Sequence, residues 1–416
     1  MKNVVMLTTD QKLDRRIILE ARTLCRVGYH VTILAAPWPE GKESYWSEPF
    51  DLIRIGNSRT GYSGNQRGAI SLTVYRLYHW LRKRGPLVHP YIPLIRSIFR
   101  AYLSDLESFY IRLFIEEAIS ARGDLYHVHD LQPLAPGFLS AERLGAKLVY
   151  DSHELFVEQE FLPGEKRKWR QIEKKYIHHA DRVITVNSAI AAVLEKRYSI
   201  TRPFVIMNCE SKRQRLGALR AETSNLVRRL GLLSDARLLL YQGGLSPKRN
   251  LEILVHSIAY VRNPRVVLVI LGSGELKGRL VELIKHFGLS RRVFLIPGVP
   301  QQDLLPITAQ ADLGIIPYAP TCLNTFYCTP NKLFEYIAAG VPVLVSDLPE
   351  VRKIVETHDL GWVADLTTPK KIAEAIDVAL FDERVLKKRR ENAARAFETL
   401  CWEEEEKKLI EVYEGL

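Results

Sequence analysis

Short runs rich in β-branched residues alternate along this chain with stretches whose apolar residues recur every three or four positions. In the first half the strand-like runs are NVVMLTT from Asn3, HVTILAA from His30, DLYHVHD from Asp124, AKLVYDSHE from Ala146 and RVITVN from Arg182. RRIILEARTLCRVG, between the first two, has helical spacing, so the three make a β-α-β unit. A second series opens near Leu238 with RLLLYQGG, RVVLVILGSGE, RVFLIPG, ADLGIIPY and VPVLVSD. This rhythm predicts an α/β protein of two doubly wound parallel sheets wrapped by helices. At 416 residues the chain exceeds one ordinary core, and its 47% hydrophobic content can fill two of roughly 200 residues each. The expected divisions are 1–205, 206–395 and a closing helix over 396–416. The charged, weakly apolar stretch Glu210–Gly231 reads as the linker.

In doubly wound sheets ligands bind at the carboxyl ends of the strands. Those of the first half are polar. YHVHDLQPL places His127 and His129 on one side of an extended chain with Asp130 following, and VYDSHE ends in Asp151, His153 and Glu154. A lone histidine is more often structural than catalytic; two such clusters at successive strand ends are candidates to line one cleft. The ligand types would suit zinc, but the spacing is not that of a His-Glu-x-x-His helix, and no metal site is expected.

The second half offers YQGGLSPKRNLE, where Gly243 and Gly244 follow a strand while Lys248 and Arg249 precede a helix, and LGSGE, with Gly272 and Gly274. Small residues let a backbone approach a phosphate and cations neutralise it, although each loop alone is also a plain tight turn. The third signal is TPNKLFEYIAAGVPVLVSD. Thr329 suits an N-cap and Pro330 the first helical position, which puts Lys332 among unpaired N–H groups at the positive end of the helix dipole. A cation there costs about 0.3–1 kcal/mol unless an anion takes both the lysine and the amides. The plainer reading is a surface pair with Glu335 three positions on.

A formal charge of +11 and a pI near 9.3 point to anionic partners: nucleotides, phospholipid surfaces, nucleic acid or acidic glycans. Five scattered cysteines without a Cys-x-x-Cys pair argue against a disulfide framework or a structural zinc and fit a reducing cytoplasm. The N-terminus is too short in apolar residues for a signal peptide, and no apolar run is long enough for a membrane span. Arg59–Arg112 breaks the rhythm, with nine basic residues against Asp105 and Glu107 and aromatics at helical spacing. It reads either as an inserted helical pair with solvated arginines or as a helix lying on an anionic membrane surface, ahead of nucleic acid.

Taken together, DRRI, GYHVTIL, HVHDLQPL, VYDSHELFVE, YQGGLSPKRNLE, LVILGSGE, ADLGIIPY, PNKLFEYIAAGVPVLVSD and CWEEEEKKLIEVYEGL resemble a retaining glycosyltransferase of family 4. The resemblance implies the GT-B architecture of two Rossmann-like domains facing a cleft: an acceptor-side domain, a nucleotide-sugar domain, and a C-terminal helix packed back on the first. It implies a sugar transferred from a nucleotide diphosphate sugar to a hydroxyl of a glycan or lipid-linked acceptor, in cell-surface polysaccharide or glycolipid synthesis, with no cofactor, no metal and no nucleic acid. The expected location is the cytoplasm or the cytoplasmic face of a membrane.

By motif, Glu335 matches the second glutamate of the family's Glu-x7-Glu signature, which binds ribose hydroxyls, but Tyr327 stands where the first would be. A branch of the family has Pro-Asn-Lys at this helix start, matching Pro330, Asn331 and Lys332. Gly244 replaces the usual arginine, leaving Arg249 and Lys248 as the diphosphate cations. His129 is expected to stabilise the donor sugar, with Asp130 and His153 beside it and His127 deeper. Two rivals share the fold: a sugar-nucleotide epimerase, and a non-catalytic membrane-attached subunit.

Overall fold

Seven strands form one sheet: Asn3–Thr8 (β1), His30–Ala35 (β2), Asp51–Arg54 (β3), Leu125–His129 (β4), Lys147–Ser152 (β5), Arg182–Thr185 (β6) and Phe204–Val205 (β7). Six form another: Arg237–Gln242 (β8), Val266–Leu271 (β9), Val293–Ile296 (β10), Leu313–Ile316 (β11), Val343–Ser346 (β12) and Gly361–Ala364 (β13). Every pairing in both sheets is parallel. This computed structural model describes residues 1–37, 47–55, 105–220 and 225–416. Most of the basic aromatic segment expected over Arg59–Arg112 lies outside them; its end, from Leu106, starts a regular helix running to Ser120.

The two sheets belong to two units, Met1–Met207 with Glu406–Leu416, and Asn208–Glu405. The two doubly wound α/β sheets are those the alternating pattern predicts. Val4, Val5, Met6 and Leu7 of β1, and all six residues of β9, are buried, so both faces of these strands are covered and the run stays apolar without alternation. In the first unit the Asp14 side chain accepts the Arg16 amide at 2.8 Å and starts the helix Arg15–Arg26, whose Ile17, Ala21 and Leu24 pack inward. Residues of the last helix, Trp402–Glu414, close the same core: the Tyr413 hydroxyl meets His127 Nδ1 at 2.7 Å, and Glu406 accepts from Thr23 at 3.0 Å.

In the second unit the stretch expected as a linker is built into the fold in its described part. The helix Lys212–Arg220 receives a backbone cap from Glu403, Arg215 stacks 4.6 Å over the Phe397 ring, and the Trp402 amide donates to the Glu210 carbonyl at 2.9 Å.

Strand order fixes where a ligand can sit. The first sheet runs β3-β2-β1-β4-β5-β6-β7, so connections diverge between β1 and β4. The second runs β10-β9-β8-β11-β12-β13 and diverges between β8 and β11. Such switch points leave a crevice at the carboxyl ends of the two central strands.

Candidate active site

At the switch point of the first unit a cluster of ionisable groups is sealed from solvent, apart from His153, whose side chain is 17% exposed. His127 and His129 end β4, Asp151 is in β5, His153 follows it, and Arg16 and Glu20 come from the helix after β1. Arg16 grips Asp151 with two bonds, Nε to Oδ2 at 2.8 Å and Nη2 to Oδ1 at 2.9 Å, and gives a third to the Ile206 carbonyl. Burial works against the Asp151 charge, but Arg16 and then His153 hold its carboxyl well below the usual carboxylate range. Burial pushes Glu20 the other way, to about 8, even though its Oε1 lies 3.0 Å from Arg16 Nε. Burial thus favours the neutral form of Glu20.

The two strand histidines stack with ring centroids 4.4 Å apart. Burial holds both below the ordinary histidine value, His129 well below it, so both are neutral. His153 is the opposite case. Burial pulls it down, but Asp130 and Asp151 outweigh that and push it up to about 10. Asp130 itself adopts φ +67°, a left-handed conformation that aspartate tolerates in turns, and its Oδ1 accepts the His153 amide at 3.2 Å.

Glu20, His127, His129 and Asp151 are metal-ligand types with ligand atoms within 4.8 Å of one another. Both Asp151 oxygens, however, already hold the guanidinium, so a metal ion would have to displace or crowd a buried cation.

The second unit places its candidates at the corresponding point. The helix Asn331–Ala338 begins one residue later than the sequence suggests: Pro330 is the N-cap, and Asn331 opens the first turn, with its Oδ1 accepting from Asn208 at 3.0 Å. Lys332 follows, 7% exposed, its Nζ bonded to the Tyr318 hydroxyl and lying 4.6 Å and 5.0 Å from the ring centroids of Tyr318 and Tyr241. Burial lowers its pKa, and Arg249 adds to that as a like charge. Arg249 stacks on the same phenol, Cζ 4.2 Å from the centroid.

Neither Lys332 nor Arg249 has a carboxylate ion-pair partner among the described residues. Glu335, one turn on and equally buried, accepts from Gln242, which is held in turn by Thr308 at 2.8 Å. The plainer reading of Lys332 and Glu335 as a solvated surface pair fails on this burial.

The β8 loop lies against this charge. Gly243 has φ +120°, and a Cβ there would come within 3.2 Å of Lys332 Nζ. Gly244 is open to solvent, its carbonyl accepting from Tyr241 at 2.9 Å. At Gly272 a Cβ would strike the Gly243 carbonyl at 1.9 Å, and Gly274 packs as closely on Leu245, so the second glycine loop supports the first from behind. The Lys248 side chain lies outside the described residues.

Both units thus set a buried cation in the first turn of the helix at the switch point, but only one has a carboxylate ion-pair partner among the described residues. Arg16 has Asp151; Lys332 has phenols.

Comparison with known proteins assigns both halves. Residues 14–209 match the family model described as Glycosyltransferase Family 4, and residues 223–396 match Glycosyl transferases group 1. Together these identify a glycosyltransferase of the family 4 type. The glycosyltransferase is 26% identical over 320 residues to the D-inositol 3-phosphate glycosyltransferase of Thermomonospora curvata, spanning 70% of this chain and 71% of that one. It superposes on sucrose-phosphate synthase from Thermosynechococcus elongatus with a TM-score of 0.71 at 16% identity, covering 100% of this chain and 99% of that one. With Anabaena HepE in complex with UDP and glucose the TM-score is 0.71 at 15% identity, covering 100% of both chains. The fold of the glycosyltransferase is GT-B. Among the described residues no helix is long and apolar enough to cross a membrane.

Sequence reasoning about the glycosyltransferase passed over Arg16, Glu20, Tyr318, Tyr241 and Gln242. Arg16 carried a readable signal, since it too is a cation just inside an Asp-capped helix start. Tyr327, which stands in place of the family's first glutamate, ends the short helix Leu323–Phe326.

Proposed function

We propose that the enzyme moves a sugar from a nucleotide diphosphate sugar to a hydroxyl of a glycan or lipid-linked acceptor, with retention at the anomeric carbon. The observation that carries this is the convergence of Lys332 and Arg249 on Tyr318, with no carboxylate ion-pair partner among the described residues, beside the Gly243–Gly244 loop and the start of the helix Asn331–Ala338. Two cations beside a helix N-terminus call for a dianion of diphosphate size. Glu335 and the Gln242 amide suit the ribose hydroxyls, as an acceptor and a donor. In this reading the bond from the anomeric carbon to the diphosphate oxygen breaks with its electron pair on oxygen. Lys332 and Arg249 stabilise the charge. The acceptor hydroxyl bonds to the same face of the carbon, and its proton passes to the departing diphosphate. His129 faces the donor sugar, with Asp130 and His153 beside it.

The run Pro330-Asn331-Lys332 supports the reading that the chain belongs to the branch of the family with this motif. The basic aromatic segment over 59–112 would bring the enzyme to an anionic membrane carrying the acceptor, in polysaccharide or glycolipid synthesis. A panel of nucleotide sugars incubated with and without membrane extract tests the reading. Extract-dependent sugar transfer supports it. Release of free sugar at the same rate without acceptor favours an epimerase, and no turnover of any donor favours a non-catalytic subunit.

A further inference from the structure

We propose that His153 is a positioning residue that fixes the tautomer of His129, so that His129 presents an N–H at Nε2, and not a bare nitrogen, to the donor sugar. This rests on the reading of His129 as the sugar-facing histidine. Nδ1 of His129 lies 3.2 Å from Nε2 of His153, and that Nε2 lies 3.2 Å from Asp151 Oδ2. Nδ1 of His153 faces Asp130 Oδ2 at 3.7 Å. Burial raises Asp130 to about 7, whereas Asp151 stays ionised, and an imidazole nitrogen in hydrogen-bond contact with an ionised carboxylate keeps its proton there, so Nε2 of His153 carries one. The contact between the two rings then has one direction: His153 Nε2–H donates, shared with Asp151, and His129 Nδ1 accepts.

An accepting Nδ1 on a neutral ring leaves the single proton on Nε2. Nε2 of His129 is buried and has no hydrogen-bond partner among the described residues. A sealed polar atom without a partner is costly, and a ligand acceptor would satisfy it. The competing arrangement has His129 Nδ1–H donating to Asp151 Oδ2, but that separation is 3.6 Å, and it would set two N–H groups head to head at 3.2 Å. The other neighbours agree. Glu20 Oε2 lies 3.9 Å from Nδ1, beyond hydrogen-bond reach, and His127 contributes a ring face whose own Nδ1 is taken by Tyr413.

Arg16 completes the device by holding Asp151 in place from the opposite helix, so that Asp151 orients His153 without turning toward His129. The chain of control runs Arg16, Asp151, His153, His129, and only the last meets the sugar.

Long-range proton–nitrogen NMR on the full chain with 15N-histidine reads the tautomer directly, the His129 signals being those lost in His129→Asn. The expected wild-type pattern is a neutral ring protonated at Nε2. His153→Ala is expected to move the proton to Nδ1, facing Asp151, and to lower kcat about ten- to a hundredfold with nucleoside diphosphate affinity unchanged. His153→Gln, whose amide can donate to Nδ1, is expected to keep the Nε2–H pattern and recover most of kcat. A wild-type His129 protonated at Nδ1 overturns the assignment whatever the fate of the His153 variants, and so does a tautomer unmoved in a His153→Ala protein that still binds nucleoside diphosphate. A His129→Ala enzyme with wild-type turnover and a wild-type protein showing the Nε2–H pattern overturns instead the sugar-facing reading beneath it.

Discussion

Replacing Lys332 with methionine separates a ligand-binding cation from a structural one. The side chain is 7% exposed, so its ammonium is desolvated, and burial followed by repulsion from Arg249 lowers its pKa below the usual 10.5. Methionine fills the same space without that penalty. It forfeits the bond to Tyr318 and the two ring contacts, worth about 0.5–2 kcal/mol together at a site like this. Loss and gain nearly cancel, and a change of about 1 kcal/mol moves Tm by roughly 2–4 °C in a unit of this size. Binding has no such compensation: a charged hydrogen bond to the diphosphate is worth about 1.5–3 kcal/mol, or about ten- to a hundredfold in affinity. The sign of the pH dependence is a second signature. With the folded pKa below the unfolded one, the unfolded chain holds more protons in the window beneath 10.5, so wild-type stability climbs there with pH and the variant lacks that climb. Calorimetric titration with nucleoside diphosphates and thermal melts across pH read all three quantities. A large fall in Tm with unchanged nucleotide affinity would show that the lysine holds the fold, and the anion-site argument would be refuted.

Other perturbations address the remaining parts of the account. Glu20→Gln should be close to neutral below pH 4.5, where the acid is protonated in both the folded and the unfolded chain, and increasingly stabilising above it. Since its folded pKa, pushed up to about 8, lies above the unfolded 4.5, the wild type loses stability from this group as pH rises through that interval. The variant should therefore lose less between pH 6 and pH 9, and parallel melting curves would contradict the burial argument. His129→Ala should slow sugar transfer about a hundredfold while sparing nucleotide affinity; equal losses in both would place the histidine elsewhere. A chelator should leave turnover unchanged, because Lys332 and Arg249 supply the charge for the leaving group; strict dependence on a divalent ion would reassign that role. Flotation with anionic vesicles should carry the full chain upward and release it in salt, at about 1 kcal/mol per engaged basic residue, whereas equal binding to neutral vesicles would remove the electrostatic reading.

What the sequence disclosed follows from what each element must bury. Central strands such as β1 and β9 are apolar from end to end because helices cover both faces, and they stand out as runs. Asp51–Arg54, Phe204–Val205 and Gly361–Ala364 went unread for the complementary reason. Each is an edge strand of two to four residues, half-exposed along much of its length, with too little apolar signal to rise above a loop. The site divides in the same way. Lys332 was legible because a cation in a helix's first turn is locally wrong and asks for a cause. Arg16 repeats that anomaly, but its cause is Asp151, 135 residues away, and such a pairing is set by strand order alone. Tyr318 and Tyr241 looked like the ends of strands. Only the fold turns their rings into the floor under two cations that have no carboxylate ion-pair partner among the described residues.

The claim at the centre is that those two cations await a diphosphate. Calorimetric titration of the wild-type chain with UDP, GDP and ADP, each against its own nucleoside at low and high salt, measures it. The account expects one nucleoside diphosphate to bind about a hundredfold more tightly than its nucleoside and to weaken as salt rises, since the difference is two charge-assisted contacts. A nucleoside that binds as tightly as its diphosphate, or no binding by any of the three, would contradict it.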